Sequence, residues 1–118
     1  MEEGGIKMVG QKLGEVRKKV ENIFKNKMRQ LGVKAGLQLN MVRSIWGPPI
    51  VGENVYGEAF PFEKPPRVWL EVFVPDATEK KITKTICHEL VHIKYPELKD
   101  GDPELERKIQ ACLRFASL

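Results

Sequence analysis

Residues 78–95 read TEKKITKTICHELVHIKY, and their apolar members Ile82, Ile86, Leu90 and Ile93 recur at spacings of three and four. That period predicts an amphipathic helix. Asp76 and Thr78 are candidate caps at its start, and Pro96 follows its end. Within it lies HELVH, His88 to His92. Helical residues four apart lie about 40° apart around the axis, so His88 and His92 project from one face, a turn apart. Two imidazoles in that relation can grip one metal ion from one side. Glu89, the next residue round, lies beside such an ion and is placed to move a proton. The bland alternative is a buried helix with two satisfied histidines. Against it, these are the only two histidines of the chain, and both fall in the motif.

Composition sets the limits around this helix. At 118 residues the chain makes one domain, residues 1–118, with one modest core. With 42% hydrophobic and 31% charged residues it reads as a globular chain. No apolar run reaches the length of a membrane span, and MEEGGIKMVGQK lacks the apolar stretch of a signal peptide, so the expected location is the cytoplasm. The net charge of +4 comes from lysines interleaved with glutamates, which describes a solvated surface rather than a nucleic-acid site. Cys87 and Cys112 form no C-x-x-C pair. They read as small buried hydrophobes, with a bond between the two helices as the alternative and neither expected to hold a metal.

Upstream, from about Lys12 to Leu31, the residues Leu13, Val16, Val20, Ile23, Phe24, Met28 and Leu31 trace one face of a helix ended by Gly32. Residues 1–11 look frayed. Ala35 to Arg43 alternates as a half-buried strand, with Leu37, Leu39 and Met41 facing one way. Trp46 and the Gly47-Pro48-Pro49 turn break it, Trp46 reading as a lid on the core edge. Glu53 to Phe60 is a weaker strand interrupted by Gly57, a place for another chain segment to come close. Arg67 to Pro75 is the strongest strand. Val68, Leu70, Val72 and Val74 share one face, Trp69 and Phe73 the other, and apolar residues on both faces predict a central position. After the HELVH helix, Asp102 is a candidate N-cap, Pro103 fits a first turn, and Leu105, Ile109, Cys112 and Leu113 form a buried stripe. The class is α+β, in the order α-β-β-β-α-α, with a small mixed three-stranded sheet and helices on one side.

H-E-x-x-H is the spacing of zinc metallopeptidases, and a catalytic Zn²⁺ needs a third protein ligand besides two histidines. No further histidine exists, so the remaining donors are carboxylates. The last helix offers Glu104 and Glu106, with Asp100 and Asp102 ahead of it.

HELVH, a following helix with acidic residues, and the order strand, strand, active-site helix resemble the gluzincin zinc peptidases. With the run HELVHIKYPELKDGDPELE, the chain most resembles their minimal scaffolds, the minigluzincins, over about residues 54–113. The resemblance implies that His88 and His92 are zinc ligands and that Glu89 is the general base. It implies Glu104, followed by apolar Leu105, as third ligand, with Glu106 as the alternative. The family places an Asp one turn beyond that glutamate, where this chain has Lys108. It also implies that Gly57, Glu58, Ala59 and Phe60 form a rim on which an extended peptide pairs, a plain structural edge strand being the other reading.

The expected function is therefore hydrolysis of peptide bonds by a zinc-dependent endopeptidase, with peptide or protein substrates. Tyr56 and Tyr95 are candidates to steady the oxyanion. Arg114 to Leu118, with Phe115, Leu118 and a terminal carboxylate, are expected to obstruct the cleft and keep the chain latent. Finishing the core is the other reading of that tail. A non-catalytic zinc scaffold and a DNA-associated protease are the competing functions.

Overall fold

A computed structural model describes residues 13–42, 55–74 and 77–114. Its elements are α1 (Leu13–Leu31), β1 (Gly36–Val42), β2 (Val55–Phe60), β3 (Arg67–Phe73), α2 (Glu79–Lys94) and α3 (Pro103–Arg114), in the α-β-β-β-α-α order read from the sequence. Residues 1–12, Trp46 with its proline turn, Asp76 and residues 115–118 lie outside the described residues, and so do the expectations attached to them.

β3 is the central strand, as its two apolar faces require. It pairs parallel with β1 (Leu39 opposite Leu70) and antiparallel with β2 (Gly57 opposite Leu70), giving the sheet order β1-β3-β2. Alternation then puts Leu37, Leu39, Met41, Val68, Leu70, Val72, Val55, Gly57 and Ala59 on one face. α1 and α2 close that face, contributing Val16, Val20, Phe24, Ile82, Ile86 and Leu90 to one core with Val68, Leu70 and Val72. Leu13, included in the helical stripe by spacing, is exposed at the N-terminal end of α1.

α2 starts where its sequence says it should. The Thr78 hydroxyl accepts the backbone N–H of Lys81 at 3.2 Å, satisfying one of the free donors of the first turn. α3 packs against the far flank of α2 through Leu105, Ile109 and Cys112, which meet Cys87 and Val91. Asp102 caps α3 by accepting the N–H of Glu104 at 2.8 Å, and Pro103 opens the helix.

Two links tie α3 down. Cys87 and Cys112 form a disulfide with their Cα atoms 5.9 Å apart, so the pair is bonded rather than two separate buried thiols. Lys27 of α1 is buried, and its ammonium donates to the Cys112 carbonyl at 2.7 Å and to Gln30 Oε1 at 3.0 Å. Gln30 donates to the same carbonyl at 3.1 Å. A cation and an amide thus satisfy a carbonyl of the last turn of α3, where the helix dipole favours positive charge. Burial pushes the Lys27 ammonium below the usual lysine range. No described helix is long and apolar enough to cross a membrane.

Candidate metal centre

The exposed end of α2 carries the two histidines at the mouth of a cleft between α2 and β2. Their Nε2 atoms lie 3.2 Å apart, with ring centroids 5.0 Å apart and the planes inclined at 54°. The third atom at this point is Asp100 Oδ1, 3.0 Å from His88 Nε2 and 2.9 Å from His92 Nε2. Asp100 comes from the turn between α2 and α3. Gly101, at φ +91°, supplies the left-handed residue of that turn, and the N–H of Asp102 closes it on the Lys99 carbonyl at 3.0 Å. Bonds to His92 and then His88 hold the Asp100 carboxyl below its usual range against the opposing effect of burial.

Among the described residues, these three form the one group of His, Cys, Asp or Glu donors close enough to share a metal ion. The triangle of 2.9 to 3.2 Å is slightly tighter than a tetrahedral ion demands. Ligand bonds of about 2.0–2.1 Å set the ligands about 3.3–3.4 Å apart. An opening of a few tenths of an ångström accommodates an ion, and two imidazoles with one carboxylate are a donor set that zinc accepts.

Glu104 is placed differently from the expectation attached to it. Its Oε1 accepts from the Arg107 guanidinium, with Nε at 3.0 Å, and its Oε2 lies 3.3 Å from the Lys108 ammonium. Lys108 is thus one of the groups that hold this glutamate along α3. Arg107 first, then Lys108, lower the pKa of the Glu104 carboxyl. Glu106 accepts from Gln110 at 3.0 Å. The turn, not the helix, brings a carboxylate to the histidines.

Glu89 is 8% exposed, and its carboxyl is pushed up to about 7, by burial first, then by Asp100 and Glu58. Two cavities meet around it. One of about 570 Å³ is lined by Gly57, Glu58, Ala59, His88, Glu89, His92 and Asp100, among others. The other, about 410 Å³, shares Tyr56, Gly57, His88 and Glu89 and continues along α2 past Thr85, Lys84 and Lys81. Three of the four rim residues expected from the sequence line the first cavity. Phe60 does not: it lies under the Arg67 guanidinium, 4.1 Å from the ring centre. The outer edge of β2 pairs with no described strand.

Of the two tyrosines, Tyr56 lines both cavities, and its hydroxyl donates to Glu58 Oε1 at 3.4 Å. Burial, then Glu58 and Glu89, raise its pKa. Tyr95 packs instead with the α2–α3 cluster, its ring 4.1 Å from the Lys108 ammonium.

Asp100 was in view only as one of two acids ahead of the last helix. The signal that singles it out is Asp100-Gly101, a turn dipeptide that folds the chain back beside the helix it has just left. Comparison with known proteins finds no matching family model, no matching curated protein and no matching solved structure.

Proposed function

We propose that this chain is a zinc-dependent metalloendopeptidase. One observation carries the reading. Three donor atoms from His88, His92 and Asp100 stand about 3 Å apart beside a buried carboxylate and a strand edge that pairs with no described strand. His88, His92 and Asp100 would hold the ion. When bound, it supplies Lewis acidity, polarising a peptide carbonyl and lowering the pKa of water. The chain's own residues do the rest. An extended substrate adds to the outer edge of β2 through main-chain hydrogen bonds, which fixes the scissile bond along the cleft without reading its side chains. Glu89 takes a proton from the attacking water and returns it to the departing amine. The Tyr56 hydroxyl, at the same cleft, is the donor for the developing oxyanion. Glu104 is the alternative third ligand, reached only if its bonds to Arg107 and Lys108 break.

The test is cleavage of an unfolded protein by chelator-treated and zinc-restored protein. It is run on the full chain and on a chain ending at Leu113, because residues 114–118 are the expected cause of latency. Cleavage should require zinc and be faster in the shortened chain. Zinc bound at one per chain with no cleavage by either length would overturn the reading, and so would cleavage indifferent to chelation.

A further inference from the structure

We infer that the cleft selects peptides by a carboxylate, held by Lys81 and Lys84 on one side of the metal centre. The inference rests on the peptidase reading and names its substrate class. Lys84 and Thr85 lie three and four residues beyond Lys81 and four and three before His88, so the four form one stripe along α2. That stripe is the wall of the 410 Å³ cavity, whose opposite wall is Val55, Tyr56 and Gly57 of β2. Among the described residues neither ammonium has an ion-pair partner. Lys19 on α1 and Lys108 on α3, by contrast, are taken by Glu79 and Glu104. The other half of the cleft carries Glu58, Asp100 beside it being committed to the ion. One end of the cleft is therefore cationic and the other anionic, and a peptide lying along β2 spans both.

The distances give the selection a register. At a rise of about 1.5 Å per residue, Lys84 stands about 6 Å and Lys81 about 10.5 Å along the helix from His88. An extended peptide advances about 3.3 Å per residue, so the favoured carboxylate lies about two or three residues from the scissile bond. It lies always on the same side, because the opposite side meets the Glu58 carboxylate. An internal Asp or Glu and a free C-terminus offer the same group at that place.

The experiment titrates zinc-loaded Glu89→Gln protein with decapeptides that differ only in Glu against Gln, walked along an otherwise neutral sequence. Each is made as the free acid and as the amide. At low salt the best Glu placement, or the free acid, should bind about threefold to tenfold tighter than its neutral partner. The advantage should vanish in Lys81→Ala/Lys84→Ala and survive in the equally charged control Lys18→Ala/Lys25→Ala on α1. A gain confined to the Glu peptides assigns the carboxylate to a side chain. A gain confined to free acids assigns it to the chain end. Equal binding of all charged and neutral partners overturns the inference, as does a gain that survives loss of Lys81 and Lys84. Cleavage without this preference would leave the peptidase reading standing alone. Lysine-dependent binding with no cleavage by the parent would do the reverse.

Discussion

Gly57 and Glu89 touch through the missing side chain of the glycine. A Cβ on Gly57 would stand 2.8 Å from Glu89 Cγ, 2.8 Å from Thr85 Cγ2 and 3.1 Å from Leu70 Cδ2. The first two atoms sit one bond beyond their Cβ atoms, so they yield only by a change of χ1 or a shift of α2. Gly57 therefore sets how near the helix bearing the candidate base approaches the strand bearing the substrate edge. Gly57→Ala should destabilise the fold by about 1–3 kcal/mol, read by denaturant unfolding. It should lower peptide hydrolysis more than zinc affinity, since the displaced group is Glu89. Unchanged stability and rate would show that α2 tolerates the methyl group.

Asp100 and Glu104 separate in a zinc titration against a competing chelator. Asp100→Ala should weaken zinc binding more than tenfold, because an ion held by three protein groups loses one of them. Glu104→Ala should change it little, since that carboxylate is engaged with Arg107 and Lys108. The opposite ranking would return the ligand to Glu104.

The metal-free protein should lose stability as pH rises from about 4.5 to about 7. Glu89 binds its proton more tightly folded than unfolded, so its contribution is full below the unfolded value and lost as pH passes the folded one. The window corresponds to a change on the order of 3 kcal/mol. Urea unfolding at pH 5 and pH 7.5 would measure it. Glu89→Gln should flatten this part of the profile, and an identical profile in the variant would assign the loss to another group.

The Cys87–Cys112 bond closes a segment 25 residues apart in sequence. On chain-entropy grounds such a loop is worth about 3–4 kcal/mol. Unfolding with and without reductant should differ by about that amount, and Cys87→Ala/Cys112→Ala should show no such difference. A parent indifferent to reductant would mean that the bond does not form in solution.

What the sequence disclosed and what it hid divide along sequence distance. The HELVH helix, its Thr78 cap, the Asp102-Pro103 start of α3 and the central place of β3 all follow from periodicity or from neighbours within four residues. Lys27 was hidden because its acceptor, the Cys112 carbonyl, is 85 residues away. The disulfide was open because spacing alone does not say that two helices meet at these two positions. Gly57 was legible as a site of close approach, but not that Glu89 and Thr85 fill it. Asp100 was outweighed by Glu104 because a helical register is easy to project, whereas the path of a turn depends on one left-handed glycine.

The most direct measurement is the hydrolysis rate of zinc-loaded Glu89→Gln beside that of its parent, on one unstructured peptide in the chain ending at Leu113. The amide keeps the shape of the side chain and removes the base, so zinc content should stay at one per chain while the rate falls about a hundredfold or more. Equal rates in the two proteins, or no hydrolysis by a zinc-loaded parent, would contradict a peptidase built on His88, Glu89, His92 and Asp100.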